Sequence, residues 1–173
     1  NKKDDWKVDV FYMDFKNFFQ WQPDANGRPL VRVNGGKFRN VGIEAEYGRR
    51  LSDRLKWNVS GSYSNPRQKE MNETYWKQAA PKLQFTTGIR YESPTWEAGT
   101  SFSFVTKRLR NRDGGLNPNI ALWNAYVGYH FNKDATLRLD ARNLLDRHNV
   151  ITNGDYEYWG DPFTYELSYT QKF

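Results

Sequence analysis

Cysteine is absent from the 173 residues, which excludes a disulfide framework, thiolate catalysis and a zinc ribbon. Long apolar runs are also absent: no stretch of about 18 apolar residues occurs, so the sequence predicts no transmembrane helix. Mean hydropathy is low at −0.93, although 17% of the residues are aromatic. Apolar residues are therefore spread singly along the chain, as expected when strands expose alternate residues to an apolar environment. Low hydropathy is consequently no evidence of a water-soluble protein.

The first residues lack the apolar segment and the small-residue cleavage site that mark an export signal. We therefore expect either that a signal was removed or that the chain is the tail of a longer protein. The net charge is +6 and the pI about 9.4, which on a soluble domain would suggest nucleic acid as a partner. Here the basic residues are dispersed along strands or in loops such as 107–112. We expect no nucleic-acid partner.

Apolar and polar residues alternate with a period of two through most of the chain, a pattern typical of strands whose two faces meet different surroundings. Eight segments follow it, the first less regularly than the others: Trp6–Phe19, Val41–Gly48, Leu55–Ser64, Leu83–Glu92, Trp96–Phe104, Trp123–Phe131, Ala135–Arg142 and Phe163–Phe173. The regular apolar faces hold no charged residue. This exclusion has a physical reason if these faces meet the lipid of a membrane, because an Arg or Lys at the middle of a bilayer would cost about 2–4 kcal/mol.

The last segment ends on phenylalanine and carries apolar residues two apart, at Tyr165, Leu167, Tyr169 and Phe173. This ending resembles the signal by which the outer-membrane assembly machinery recognises its clients, except at Gln171, where an aromatic residue is commoner. With the alternation, it predicts an all-β fold: an antiparallel transmembrane β-barrel segment of about eight strands, in contact with outer-membrane lipid and lipopolysaccharide.

The predicted connections alternate between short turns and long polar loops. The short ones are 50–54, 93–95 and 132–134, and the long ones are 20–29, 66–81, 108–120 and 149–162. Outer-membrane barrels have short periplasmic turns and long extracellular loops. We therefore expect a chain in the outer membrane of a Gram-negative type of cell, with a periplasmic C-terminus.

Tyrosine and tryptophan residues concentrate at predicted strand ends, where an amphipathic ring is stabilised at the headgroup boundary. They are Trp6, Trp57 and Trp96 near short turns, and Tyr63, Trp123 and Trp159 near long loops. The alternative is a soluble β-sandwich, which would show the same alternation and the same enrichment in aromatics. The regular succession of short and long connections, and the Ser, Gly and opposite charges on the polar faces, favour a barrel with a polar lumen.

Three patches together resemble the C-terminal part of TonB-dependent outer-membrane receptors. The first is 33–36 running into 40–46, which resembles the family's Asn…Gly-hydrophobic-Glu-x-Glu strand. The second is 79–82 leading into a strand with Gly88. The third is 139–147, where an Asn-Leu-hydrophobic-Asp sequence commonly ends the penultimate strand of these receptors.

The resemblance implies a barrel of about 22 strands, plugged by an N-terminal domain, that imports an iron–siderophore, haem, cobalamin or similar scarce nutrient with energy from TonB. Residues 1–173 would form its C-terminal part, without the plug, the TonB-binding segment and the first two-thirds of the wall. The implied partners are the rest of the receptor with its plug, TonB through the missing N-terminal part, the barrel assembly machinery and a metal-chelate cargo. No cofactor is implied.

A different hypothesis is a self-contained eight-stranded barrel that acts as a structural or adhesive anchor, since about eight strands suffice for closure. Pairing of the last strand with the first would favour that anchor. An unpaired first strand would favour a piece of a larger barrel, because an open edge cannot face lipid.

Cargo would meet the long loops and the upper lumen, where arginine and aromatic side chains suit anionic, planar chelates. The candidate cargo contacts are Trp21, Arg28, Trp76, Arg108, Arg110, Arg112, Tyr156, Tyr158 and Trp159. Their other interpretations are loop solubility, lipopolysaccharide contact and girdle packing. The charges predicted to face the lumen, where they would pair with one another or with a plug, are Glu44, Glu46, Arg90, Arg138, Asp140 and Arg142.

The chain offers no recognisable catalytic or metal-binding set. His130 and His148 are its two histidines, and Asp146 precedes His148 by two residues without an identifiable nucleophile. Scattered carboxylates show no metal-ligand spacing either. We expect no enzyme activity and no metal site.

Overall fold

The computed structural model describes residues 3–22, 31–78, 81–106, 108–109, 115–151 and 158–173, with only the backbone at 20–22 and 109. Its strands, in chain order, are β1 Asp4–Gln22, β2 Val31–Arg50, β3 Leu55–Ser64, β4 Arg67–Lys69, β5 Lys77–Gln78, β6 Leu83–Glu92, β7 Trp96–Val105, β8 Arg108–Leu109, β9 Leu116–Asn117, β10 Ile120–His130, β11 Ala135–Arg142 and β12 Thr164–Gln171. In these ranges no helix is long and apolar enough to cross a membrane.

Ten of these strands form one antiparallel sheet, confirming the predicted all-β class. From one end its order is β12, β11, β10, β7, β6, β3, β2, with β1 on the far side of β2. The short strands β4 and β5 continue the sheet beside the outer part of β2, and β8 pairs with β9 in a separate ribbon. The long strands thus follow one another as hairpins, in chain order.

The register aligns the apolar residues of neighbouring strands on one face. In one row, Ala45 of β2 stands opposite Val8 of β1 and Gly61 of β3, and Gly61 stands opposite Phe85 of β6. Opposed residues of an antiparallel pair share a face, so this apolar face runs across the sheet and a polar face lies behind it.

The sheet is a single layer and does not form a sandwich core. Tyr165 and Leu167, on the apolar face of β12, are 75% and 65% exposed. Among the described residues the buried apolar side chains are Ala121, Ala135 and Val150. The apolar face is thus not packed against a second sheet in the described part of the chain.

The sheet is also not closed. Within the described ranges, β1 pairs with β2 and β12 with β11, so the two strands lie at opposite ends of the sheet. The closing pair that the eight-stranded anchor requires is not formed, and that alternative is not favoured.

Several predicted boundaries were wrong because pairing extends into expected loops. The segment 66–81 contains β4 and β5, and 108–120 contains β8 and β9. β2 begins ten residues before the predicted Val41, at Val31. These strands form because the outer part of β2 supplies backbone groups with which β4 pairs, and β4 in turn pairs with β5.

The short turns lie within one residue of their predicted positions. In the turn before β7, Ser93 Oγ accepts a hydrogen bond from Trp96 N at 2.9 Å and donates one to the Trp96 carbonyl at 3.0 Å. Before β11, Asn132 Oδ1 accepts a bond from Asp134 N at 2.8 Å. Ser and Asn form such turns because their side chains bond the nearby backbone.

Candidate functional site

The apolar face satisfies its polar groups within the sheet. The indole nitrogen of Trp57 donates to Thr87 Oγ1 at 2.9 Å, and this hydroxyl donates to the carbonyl of Asn58 at 3.0 Å. Trp123 Nε1 donates in the same way to Thr100 Oγ1, at 2.6 Å. An unpaired donor in an apolar medium costs several kcal/mol. The two threonines are therefore compatible with apolar surroundings.

Aromatic rings also join across this face at the short-turn end of the strands. Trp96 and Tyr129 pack edge to face with centroids 4.8 Å apart, and Tyr129 packs likewise on Phe131 at 4.9 Å. Phe131 lies 6.5 Å from Tyr169 of β12. The rings form a band across several strands, which is the arrangement that an aromatic girdle requires.

Arg138 is the centre of an ion-pair network on the polar face. Its guanidinium donates to both carboxylate oxygens of Asp140, at 2.8 Å (Nε–Oδ2) and 2.9 Å (Nη2–Oδ1), and to Glu97 at 2.9 Å (Nη1–Oε1). It also lies 3.9 Å above the ring of Tyr126. His130 Nε2 stands 3.9 Å from the second oxygen of Glu97. Arg138 thus has strong partners within the sheet itself.

Two glycines provide the space for this network. A Cβ at Gly99 would lie 2.6 Å from the ring of Tyr126, and a Cβ at Gly128 would lie 2.7 Å from the side chain of Glu97. Each glycine stands directly opposite the residue that it accommodates. The sequence does not reveal Glu97 and Tyr126 as parts of this network, because the partnership depends on the register of β7, β10 and β11.

Two other arginines predicted to face the lumen also lie on the polar face. Arg90 Nη2 contacts Glu92 Oε1 at 2.5 Å. Arg142 Nη2 is 3.5 Å from Glu166 Oε2, and both side chains are about two-thirds exposed, at 66% and 65%. The Arg142 pair is therefore a surface pair with little net energy.

Glu44 and Glu46 lie on the polar face of β2 and are exposed. The register puts them opposite Asp9 and Lys7 of β1. Lys7 Nζ is 2.7 Å from Asp9 Oδ2. This part of the polar face therefore carries three carboxylates near one ammonium, an excess of negative charge.

Towards the long-loop end, the polar face of β1 and β2 becomes aromatic. Phe15 and Phe38 face each other with centroids 6.1 Å apart, and the ring of Phe11 would lie 2.5 Å from a Cβ on the glycine opposite it. Asn17, with a φ of 58°, marks a bulge that brings Phe18 to the same face. Sequence reasoning missed this patch, since the bulge breaks the alternation, although glycines at 36 and 42 were a usable signal.

Arg108 joins the connection after β7 to the connection after β11. Its guanidinium donates to the carbonyl of Ile151 at 3.0 Å and to that of Val150. Val150 forms a β-bridge with Trp159, whose ring packs on His148 at 5.9 Å. Burial lowers the pKa of Arg108. Both terminal nitrogens of this candidate cargo residue therefore already hold the loop backbone.

The other candidate cargo contacts are dispersed. Trp76 lies between β4 and β5, with the guanidinium of Arg39 at 4.9 Å from its ring. Tyr158 and Trp159 are 61% and 55% exposed. The side chain of Trp21 and the whole of Arg28, Arg110, Arg112 and Tyr156 lie outside the described residues.

Beside Trp76, the β4–β5 connection is held by an ion pair between Glu73 and Lys77. Burial by itself would raise the pKa of the Glu73 carboxyl, but its bonds with the Lys77 ammonium and the Glu70 backbone N–H lower that pKa below its ordinary value. Lys77 responds in the opposite sense: its hydrogen bond with Glu73 raises its pKa.

The model of the family "TonB dependent receptor-like, beta-barrel" matches residues 1–144. The chain belongs to this family. The fold is similar to the ferric citrate transporter FecA, with 22% identity, a TM-score of 0.81 and coverage of 99% of this chain and 29% of FecA. It is also similar to the iron transporter FrpB of Neisseria meningitidis (16%, TM-score 0.79, covering 100% and 30%) and to the copper transporter OprC (17%, TM-score 0.77, covering 100% and 30%). No curated protein matches in sequence at a significant level.

This receptor chain spans less than a third of the length of each of those structures. At these levels of sequence identity, the similarity to those structures shows a shared fold. Within the described ranges, the receptor chain has no group of three or more His, Asp or Glu side chains that could hold a metal ion.

The Asn-Leu-Leu-Asp motif of the receptor ends β11 with a network of hydrogen bonds. Asn143, only 2% exposed, donates from Nδ2 to the carbonyls of Arg147 and Asp161, both at 3.0 Å, and accepts a bond from Arg147 N at 3.2 Å. Asp146 Oδ1 accepts a bond from Phe163 N at 2.9 Å. Asn143 and Asp146 both adopt positive φ, at 51° and 44°, which Asn and Asp tolerate. The motif therefore fixes both ends of the last loop.

Proposed function

We propose that the chain forms the C-terminal part of the barrel wall of an outer-membrane TonB-dependent receptor, and that the whole protein imports a scarce nutrient. The observation that carries the proposal is a single antiparallel sheet with an apolar face, a polar face and its outermost long strands, β1 and β12, at opposite ends. An open edge cannot face lipid, because its backbone N–H and C=O groups would lack partners. The remaining strands of the barrel would pair with β1 and β12.

In this proposal the apolar face meets lipid and the polar face lines the lumen around a plug. The short-turn end, with the C-terminus, is periplasmic, and the long-loop end meets the outside. Tyr165, Leu167, Tyr169 and Phe173 of the last strand present the signal for the barrel assembly machinery. TonB would act through the N-terminal part of the protein.

The cargo in this proposal is a metal chelate such as an iron–siderophore or haem, or else cobalamin. The names of the similar structures, which transport ferric citrate, iron or copper, support a metal-containing cargo. Loop arginines can bind the carboxylates or phenolates of a chelate, and aromatic rings can stack on its planar parts. The aromatic patch of Phe15 and Phe38 lies on the proposed path at the outer end of the lumen.

The proposal is tested by uptake of a radiolabelled ferric chelate in cells whose only such receptor is the full-length protein. We expect uptake that disappears when TonB is deleted, because import of this kind needs its energy. A general porin substrate measured in the same cells is the control, since its entry does not depend on TonB. Uptake that is unaffected by TonB deletion, or a receptor that fractionates without the membrane, would contradict the proposal.

The role of the loop arginines is tested separately by equilibrium binding of the same chelate. We expect alanine at Arg110 or Arg112 to weaken binding through loss of a charged contact, and alanine at Arg108 to weaken it through loosening of the last loop. Unchanged affinity in all three variants would remove these residues from the cargo site.

A further inference from the structure

Three lysines stand directly opposite one another on neighbouring strands. The register pairs Lys16 of β1 with Lys37 of β2, and Lys37 with Lys69 of β4. Opposed residues share a face, with Cβ atoms about 4.5–5.5 Å apart, and like charges in these positions destabilise a sheet. We call these residues the lysine row. Three repelling charges in register call for a physical reason.

The adjacent row adds more positive charge. There, Asp14 stands opposite Arg39, and Arg39 stands opposite Arg67. Asp14 Oδ2 is 3.3 Å from Arg39 Nε and also accepts a hydrogen bond from Tyr12. Of the carboxylates that the structure describes, none forms an ion pair with the lysine row, and Asp14 alone offsets the two arginines. The patch therefore carries five cations and one anion.

The patch continues the apolar face beyond its last apolar residues. Tyr12 and Val41 are opposite each other at the end of the apolar band, and Lys37 precedes Val41 by four positions, about 13 Å farther toward the long-loop end of the strand. If the apolar face meets lipid, the lysine row lies at headgroup level on the long-loop side. It points away from the lumen, so a cargo that passes through the lumen meets the opposite face.

We propose that the lysine row, with Arg39 and Arg67, binds the phosphate groups of lipopolysaccharide in the outer leaflet. The inference rests on the proposed function, because it requires the apolar face to be embedded in an outer membrane. Phosphate oxygens accept strong, charge-assisted hydrogen bonds from lysine and arginine. The row spans two interstrand spacings, about 10 Å, which suits a headgroup with two phosphates. Bound phosphates would turn the repulsion between the lysines into attraction.

The test uses the full-length receptor in detergent and lipid A as the probe. The variant combines Lys16→Gln, Lys37→Gln and Lys69→Gln, and the control combines Lys3→Gln, Lys133→Gln and Lys172→Gln. The control makes the same charge change at the short-turn end. Retention of lipid A with two phosphates, and of lipid A from which both phosphates have been removed, is measured by native mass spectrometry.

We expect the wild type and the control to retain the phosphorylated lipid, and the lysine-row variant to retain at least tenfold less. The phosphate-free lipid should be retained weakly by all three proteins. Equal retention by the lysine-row variant and the wild type, or equal retention of the two lipids by the wild type, would overturn the proposal.

Thermal unfolding of the same proteins gives a second measurement, with Lys37→Gln alone as the milder variant. Without lipid, this variant should have a Tm equal to or above that of the wild type, because repulsion is relieved. Added phosphorylated lipid A should raise the Tm of the wild type more than that of the variant. An equal rise would count against the site. TonB-dependent uptake should persist in the lysine-row variant, so loss of lipid binding and loss of the import function are separable.

Discussion

Replacement of Asn143 by alanine should loosen the last loop of the receptor chain and destabilise the end of the sheet to which this loop is attached. The side chain makes three hydrogen bonds, two as donor and one as acceptor, and is only 2% exposed. Alanine removes all three bonds. It also leaves a residue with a Cβ in a left-handed backbone conformation, at a φ of 51°.

The magnitude follows from these contacts. A hydrogen bond contributes about 0.5–1.5 kcal/mol net, so three contribute about 1.5–4.5 kcal/mol if they add. The left-handed conformation costs alanine about 1 kcal/mol more. We therefore expect Asn143→Ala to lower the free energy of unfolding by about 2.5–5.5 kcal/mol. Asn143→Gly loses the same bonds without the Cβ clash, so it should be about 1 kcal/mol less harmful.

The assay is hydrogen exchange of the full-length receptor, followed by mass spectrometry of peptides that cover 144–163, together with denaturant unfolding. Faster exchange should be confined to that loop and to the neighbouring ends of β11 and β12. Peptides from β3 serve as the internal control. Exchange and unfolding like those of the wild type in Asn143→Ala would refute the role given to this side chain. Equal loss in the alanine and glycine variants would refute the backbone contribution.

Further outcomes can be checked on the same protein. Arg138→Ala should lower the free energy of unfolding by about 2–3 kcal/mol, because two half-buried carboxylates lose their partner, whereas Arg142→Ala, in an exposed pair, should cost less than about 0.5 kcal/mol. Equal effects of the two variants in denaturant unfolding would contradict the network. If a plug rests on these side chains, both variants should also increase the leakage of small solutes. Gly99→Val should cost about 1–3 kcal/mol by overpacking against the tyrosine ring, and a thermal melt like that of the wild type would disprove the close approach. The lowered pKa of Glu73 means that its ion pair with Lys77 stabilises the β4–β5 connection at neutral pH, and that this stabilisation is lost as the pH falls through the lowered pKa. Hydrogen exchange of the backbone amides of 70–77 should therefore accelerate in acid. Amide protection that does not change with pH would contradict this role.

Much of the fold was predictable because strand alternation is local. The apolar sets of β3, β6, β7, β10 and β11 occupy one face of the sheet, as their period of two requires. The hydroxyls of Thr87 and Thr100 fit this face because each bonds a backbone carbonyl, an interaction that the pattern cannot show.

The errors have physical causes. The alternation of the first strand is irregular because a bulge at Asn17 shifts the phase of its side chains. The segment 66–81 was predicted as a loop, since strands as short as β4 and β5 have no alternation long enough to detect. They exist because the outer part of β2 offers β4 backbone partners, and β4 offers them to β5.

The candidate site was less predictable than the fold. Arg138, Asp140 and Arg142 were expected on the polar face from the alternation, and they lie there. That Arg138 binds Glu97, however, depends on β7 lying beside β10 and β10 beside β11. Several cargo candidates lie outside the described residues, so their role stays a prediction.

By itself, the order of the residues determined which side of each strand is apolar and where the short turns fall, because these features depend on neighbours within a few positions. The tertiary structure alone decided which side chains face each other across strands. It brought Arg138 to Glu97 and set Lys16, Lys37 and Lys69 in one row. Register is fixed by hydrogen bonds between distant segments, and no local pattern contains that information.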